Sequence, residues 1–376
     1  MDNRKSYELL AASEQLRYEN CTGVHELPAI FHYWSNRYLR PKLQSLGFND
    51  PDAIFETYLA AQCTNEADRP KRFLSLGAGN CDLEIALALK LRAGGHQDFL
   101  FDCLDLNPAM LERGRLAAEQ AGVGHHLTFA EGDVNVWNAP QEFDAIVANY
   151  FLHHVVNLEH VFEQVRRALK PAGTFLIAEM IGRNGHQRWP EALTLVHEFW
   201  RKLPPSYRFN RVSGRYEEMY EDQDCSAEGF EGIRAQDILP MLIDRFQFQL
   251  FVPFANLIDP FVDRNFGPNF DPALPWDREF VDQVHLRDEQ ELFSGGLTPT
   301  HMYAVVAREA VDAPVILQHL TPEFCVRRNF SIGPVGFQQA AAPYEGLGWP
   351  RGAQEELQLV RARLAESAEL RSKSVV

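Results

Sequence analysis

Between Arg72 and Asp105 the chain reads RFLSLGAGNCDLEIALALKLRAGGHQDFLFDCLD, and no other stretch limits its fold as much. An apolar run (Phe73, Leu74, Leu76) leads into a turn containing Gly77 and Gly79. A helix-patterned segment comes next, and a second apolar run from Phe99 to Leu104 stops at an acid. Strand, glycine turn, helix, strand and acid in that order predict the opening of a nucleoside-binding α/β sheet. The two glycines let the backbone turn sharply and leave room for a ligand that any Cβ would fill. A helix beginning near Asp82 aims its free N–H groups at that space. Asp105, at the end of the second strand, is placed to accept both hydroxyls of a ribose.

The dinucleotide fingerprint G-x-G-x-x-G asks for a third glycine where this chain has Asp82, which weakens an NAD reading. From Arg72 to Gly182 the chain resembles the class I S-adenosylmethionine (SAM) dependent methyltransferases, with LGAGNCD as the looser glycine motif. In LNPAMLERGRLAAEQAG, Pro108 suits a first helical turn and Gly122 a helix end. LTFAEGDVNVW gives a third strand followed by Asp133, and EFDAIVANYFLHHV a fourth. NLEHVFEQVRRALKPAGTFLIAEMIG completes a helix, a Lys-Pro-x-Gly turn and a fifth strand, making five β-α units in the family's order.

The resemblance implies an α/β fold with a Rossmann-like seven-stranded, mostly parallel sheet whose last strand is antiparallel. It also implies SAM as the cofactor. On the matching positions, Gly77, Ala78 and Gly79 would line the methionyl part and Asp105 with Leu106 the ribose. Asp133 with Val134 would reach the adenine, and Asn149 would sit by the transferring methyl group. Cys81 stands where the family usually has a third glycine.

Four segments are expected: a helical N-terminal cover (1–70), the SAM-binding core (71–182), the end of the sheet with two insertions (183–308), and a C-terminal extension (309–376). IRAQDILPMLIDRF, FQFQLFVPF and THMYAVVAR read as the last helix and the closing strands. The insertions, roughly 183–232 and 255–297, are long for loops and rich in aromatics, which argues against disorder and for a lid over the substrate. In the cover, Phe31, Trp34 and Tyr38 recur at helical spacing, and Asn49 before Pro51 offers a cap and a first-turn proline for a further helix. In many relatives such a segment closes over SAM, so Arg37 or Arg40 is expected to pair with the cofactor's carboxylate; the competing reading makes both surface arginines.

A formal net charge of −16, with no Lys/Arg run, disfavours a nucleic-acid substrate. Six scattered cysteines, with no C-x-x-C and no Cys/His ligand spacing, read as reduced thiols, and no metal is expected. MDNRKSYELLAASEQ has no apolar leader core and no run approaches membrane-spanning length, so a cytoplasmic protein without a membrane partner is expected. A helix predicted from Gln354 to Leu370 carries Leu357, Val360 and Leu364 on one face, on which the body or a second copy in a homodimer could dock.

Methyl transfer requires a nucleophile held in line with the methyl group and, for an amine or hydroxyl, a group to take its proton. His153 and His154 after the fourth strand, and Glu179 near the end of the fifth, are the candidates. Each histidine could equally pack against or cap the turn it opens. Glu179 in an apolar strand must be paired, because burying a lone carboxylate costs several kcal/mol; a substrate amine or an arginine such as Arg183 would serve. His186, Trp189, Arg211 and Tyr216 could line the acceptor pocket or only pack the lid. The expected function is methylation of a small molecule at oxygen or nitrogen. A protein or peptide methyltransferase, or a non-catalytic protein of the same fold, are the alternatives.

Overall fold

Apolar strands alternating with amphipathic helices dictate a layered α/β architecture. The computed structural model describes residues 26–64 and 70–327, together with Tyr7, Ala11, Glu14, Gln15 and Tyr18. Strands β1 (Lys71–Leu76), β2 (Phe99–Asp105), β3 (Leu127–Glu131), β4 (Phe143–Asn149), β5 (Leu169–Met180), β8 (Gln247–Phe254), β9 (His301–Ala307) and β10 (Val315–Ile316) form one sheet. Its order is β3-β2-β1-β4-β5-β9-β8-β10. The first five strands are parallel, and β9 runs antiparallel between β5 and β8. The order reverses between β1 and β4, the place where open α/β sheets receive ligands.

Among the described residues the sheet has eight strands, not seven. The additional one, β10, is a two-residue edge strand parallel to β8, drawn from a region that shows almost no periodicity. Phe143 to Ala148 in β4 are all buried, as expected of a strand covered on both faces. The Lys-Pro-x-Gly turn lies inside β5 as an excursion, where the register jumps from Phe143–Leu169 to Ala145–Thr174.

Helices α1 (Ala29–Trp34) and α2 (Arg40–Ser45), joined by the π-helical turn Ser35–Leu39, and α3 (Pro51–Thr64) precede the core. Asp50 caps α3 by accepting the Ala53 N–H at 2.8 Å, one residue later than the Asn49 cap expected. Helix α4 (Asp82–Ala93) buries Leu87, Ala88 and Leu91, with acids in its first turn and Lys90 and Arg92 in its last, matching the helix dipole. Helix α5 (Pro108–Gln120) begins at Pro108, and the Asn107 side chain accepts the Ala109 and Met110 N–H groups. Gly122, at φ 71°, lies just past its end. Helix α6 (Leu158–Ala168) completes the parallel half.

The two insertions carry α7 (Pro190–Trp200), the short hairpin β6 (Phe209–Asn210) with β7 (Arg215–Tyr216), α9 (Asp259–Val262) and the 20-residue α10 (Pro275–Ser294). Between them lies α8 (Ala235–Arg245), the predicted last helix before β8. The aromatics of the two insertions meet each other: Trp200 packs on Phe266 and Phe261, Phe199 on Phe280, and Tyr207 on Phe270 and Trp276. Phe199, Trp200, Tyr207, Phe261, Phe266 and Phe270 are buried and continuous with the core of the sheet, so these side chains extend that core and are not free to line a pocket. Among the described residues no helix is long and apolar enough to cross a membrane. Four of the described cysteines are buried thiols and Cys225 is exposed; Cys21 and the helix predicted over 354–370 lie outside the described residues.

Candidate active site

Three left-handed residues build the turn after β1: Gly77 at φ 66°, Gly79 at φ 54° and Cys81 at φ 58°. The third position is the one the family usually gives to glycine, so the conformational demand persists although the residue does not; a non-glycine there costs roughly 1 to 2 kcal/mol. The Gly77 and Ala78 N–H groups donate to the Leu104 carbonyl at 2.8 and 3.1 Å, tying the turn to the end of β2. Asp105 closes the connection: Oδ2 accepts the Gly79 N–H at 2.8 Å and Oδ1 the Asn107 N–H at 2.8 Å. Burial pushes the Asp105 carboxyl upward, and these N–H groups oppose the shift. Each oxygen keeps a second lone pair for a ribose hydroxyl.

A Cβ on Gly77 would lie 1.9 Å from the Phe151 ring, and one on Gly114 of α5 would lie 2.9 Å from the Asn80 carbonyl oxygen. The turn is therefore gripped on both sides. Asn149 ends β4, and the next residue, Tyr150, takes φ 50° with its N–H on the Ala178 carbonyl, turning the chain across the sheet edge towards Phe151.

Two residues ahead of position 26 reach Asp133 and Leu106, beside this turn. Tyr7 Oη donates to Asp133 Oδ2 at 2.7 Å, and Gln15 Nε2 donates to the Leu106 carbonyl at 2.8 Å. Asn107 Nδ2 reaches back to the Gln15 carbonyl at 3.0 Å. Burial first, then the Asp133 carboxylate, raise the Tyr7 phenol, so Tyr7 is the donor. Val134 is buried beside them. Arg37, in contrast, faces Asp282 of α10 at 3.4 Å and packs on Tyr33 and Tyr38, while Arg40 donates to the Asn49 carbonyl and Asn36. The segment expected to close over the cofactor thus docks on α10, where Arg37 meets Asp282, while Arg40 is held within the segment itself.

At the same edge of the sheet lies a buried polar cluster. Glu179 is fully buried, and four donors satisfy it: the Phe151 and Leu152 N–H groups on Oε2, and His153 Nδ1 and the Met180 N–H on Oε1. The His153–Glu179 separation is 2.5 Å. Arg183 is not its partner; that guanidinium faces Asp222 at 3.7 Å and donates to the Arg188 carbonyl. The other nitrogen of His153, Nε2, lies 3.4 Å from Glu231 Oε1, and His186 Nε2 lies 2.8 Å from the same oxygen. His154 Nδ1 faces Glu14 at 3.0 Å, and Tyr18 Oη donates to Glu231 Oε2 at 3.3 Å.

Burial alone would push His153 down, but Glu179 and Glu231 outweigh it and hold it up at about 10. Burial would raise Glu231, yet His153, His186 and His154 hold it well below the usual carboxylate range. Burial lowers His186.

The four residues considered for the acceptor pocket divide. His186 belongs to the cluster. The Trp189 ring carries the guanidinium groups of Arg183 and Arg327, at 5.5 and 4.3 Å. Arg211 and Tyr216 are exposed on the β6–β7 hairpin, with Arg211 held by Asn269 at 2.5 Å, and among the described residues neither joins the His153 cluster. Glu231 escapes sequence reasoning, since an acid in GFEGI carries no motif; its role arises only because the first insertion folds back onto β4.

Residues 67–222 match the family model described as a methyltransferase domain. A sterol 24-C-methyltransferase of Aspergillus fumigatus is 35% identical over 79 residues, 21% of either chain. A ubiquinone/menaquinone biosynthesis C-methyltransferase of Rhodopseudomonas palustris is 28% identical over 113 residues, 30% of this chain and 43% of the relative. The chain thus spans less than half the length of these two curated relatives. A SAM-dependent methyltransferase from Thiobacillus denitrificans, solved with S-adenosyl-L-homocysteine, aligns over 76% of this chain and 100% of its own at 17% identity and a TM-score of 0.37. Given the matched domain, the glycine turn with Asp105, and the reversed strand order with an antiparallel β9, residues 67–222 carry a methyltransferase domain of the class I SAM-dependent kind.

Proposed function

We propose that this methyltransferase moves the methyl group of SAM onto an oxygen or nitrogen of a small-molecule acceptor held beside His153, between the sheet edge and the first insertion. The observation that carries the reading is that the Gly79–Asp105 turn and the buried His153–Glu179 pair open on the same edge of one sheet. Gly77, Ala78 and Gly79 would hold the methionyl part, Asp105 and Leu106 the ribose, Asp133 and Val134 the adenine, with Asn149 nearest the methyl group. Tyr7 and Gln15 support the adenosine side of the site.

His153 is the group proposed to face the acceptor's nucleophile; held protonated by Glu179 and Glu231, it would hydrogen-bond the acceptor through Nε2–H and take up the acceptor's proton only after passing its own to Glu231. Glu179 has all four of its contacts inside the protein, so it acts through His153 as a positioning residue. His154 faces Glu14 and is a weaker candidate for contact with the acceptor. A carbon acceptor is the second reading, favoured by one observation: the Aspergillus and Rhodopseudomonas relatives are both named as C-methyltransferases.

Incubation with methyl-labelled SAM and a panel of phenols, hydroxy acids, amines and ring-carbon nucleophiles tests the proposal. His153→Ala is expected to lower turnover at least about tenfold, below what a well-positioned proton-transfer group can contribute, with unchanged SAM affinity. Transfer confined to carbon nucleophiles would replace the first reading by the second. Undiminished turnover in the variant would remove His153.

A further inference from the structure

His153, His186 and Glu231 come from three separate places, the turn after β4 and two ends of the first insertion, yet one donor atom from each lies within 4.8 Å of the others. We propose that these three side chains bind a divalent transition-metal ion, such as Zn²⁺, Mn²⁺ or Fe²⁺, with Glu179 fixing the first of them from behind.

The donor chemistry is that of a two-histidine, one-carboxylate site. His153 donates Nδ1–H to Glu179 and turns Nε2 to the centre, where a cation would replace the proton that Glu179 and Glu231 otherwise hold on that nitrogen; a carboxylate behind a ligating histidine is the arrangement that fixes tautomer and ring direction at metal sites. Ligands at about 2.0 to 2.2 Å from an ion sit roughly 3 to 3.5 Å apart when adjacent. The His186–Glu231 and His153–Glu231 distances, 2.8 and 3.4 Å, already approach that spacing. The remaining pair, His153 and His186, stand with ring centroids 5.1 Å apart and donor atoms within 4.8 Å, so they must draw closer on the ion.

The backbone is built around this meeting. His186 takes φ 55°, an uncommon conformation for a residue with a Cβ, directly after Gly185 at φ 65°. The Gly185 N–H donates to the Gly232 carbonyl at 2.9 Å, which locks the turn carrying His186 to the turn next to Glu231. Arg188, itself paired with Asp259 at 2.8 Å, donates to the His186 carbonyl at 3.1 Å. Two loops that share no local pattern are thus pinned so that their imidazole and carboxylate converge on His153.

Glu14 and Glu179 add negative charge around the centre, and His154 packs on His153 with ring centroids 4.2 Å apart. Three protein ligands leave coordination positions open. On the methyltransferase reading, on which this role rests, an acceptor hydroxyl or enol oxygen would occupy one of them and give up its proton to solvent more readily against the cation, with His153 then acting on the acceptor through the ion and not by direct proton exchange.

The full-length protein, stripped with chelator and exchanged into metal-free buffer, is titrated calorimetrically with Zn²⁺ and with Mn²⁺, and separately with SAM. One equivalent of Zn²⁺ is expected to bind with a Kd on the order of 1 μM or below. His186→Ala and Glu231→Gln are expected to weaken it at least about 100-fold, and Glu179→Gln about 10- to 100-fold through the outer contact. Co²⁺ added to the unmutated protein is expected to give visible d–d bands, a readout independent of whether any variant folds. No metal uptake by a stripped protein that still binds SAM overturns the site and leaves the methyltransferase reading standing. Metal uptake without SAM binding does the reverse. Uptake undiminished in folded His186→Ala and Glu231→Gln places the metal elsewhere and overturns the assignment.

Discussion

Replacing Glu179 by Ala is expected to cost about 3 to 5 kcal/mol of folding stability at neutral pH, the usual consequence of removing one partner from a buried ion pair. The carboxylate is fully buried and takes two backbone N–H groups from the turn after β4, one from Met180, and the His153 imidazole. Alanine strands all four donors at a depth where bulk solvent does not reach them. Glu179→Gln keeps an acceptor oxygen and removes the charge, so it should cost clearly less. Urea unfolding of the three proteins checks this, and a loss below about 1 kcal/mol for the alanine variant would mean that the turn does not depend on the carboxylate.

A second large effect is expected from pH. Glu84 in the first turn of α4 is fully enclosed and accepts the Ser75 hydroxyl at 2.5 Å; burial pushes it from an ordinary 4.5 up to about 7. A carboxyl whose folded value is raised contributes stability below its unfolded value and loses it as pH climbs through the folded value. Here that window runs from about 4.5 to 7, and the full loss is about 3 kcal/mol. Glu84→Gln removes the titration and keeps an acceptor for Ser75. The stability of the variant relative to the unmodified protein should therefore rise by about 2 to 3 kcal/mol between pH 5 and pH 8. Denaturant titrations at the two pH values measure it, and a difference that does not change with pH would contradict the burial of a proton-binding Glu84.

Much of the core is readable in the sequence because its signals are local. The apolar runs that form β1, β2, β4 and β9, the glycine turn, Pro108 with Gly122 around α5, and the buried acid Glu179 each rest on a few adjacent residues. Cys81 shows the limit of that logic, since the left-handed conformation is kept while the glycine that announces it is gone.

The features that escape such reading depend on long-range pairing. Asp282, which takes Arg37, lies in the second insertion, and Tyr7, which reaches Asp133, lies ahead of the helices expected to form the cover. The insertion aromatics satisfy one another because two segments far apart in sequence pack together. Glu231 meets His153 only through the interlocked turns at Gly185 and Gly232. β10, two residues long, is strand by pairing alone.

The central claim is that the turn from Gly77 to Gly79, closed by Asp105, holds SAM. Calorimetric titration of the full-length protein with SAM, with S-adenosylhomocysteine and with NAD tests it most directly. Binding of the first two in about the micromolar range and no binding of NAD is the predicted result. In Asp105→Ala the SAM affinity should fall about 5- to 150-fold, the equivalent of the 1 to 3 kcal/mol lost when buried hydroxyls lose their acceptor. No binding of SAM to the folded protein, or equal affinity in the Asp105 variant, would contradict the account.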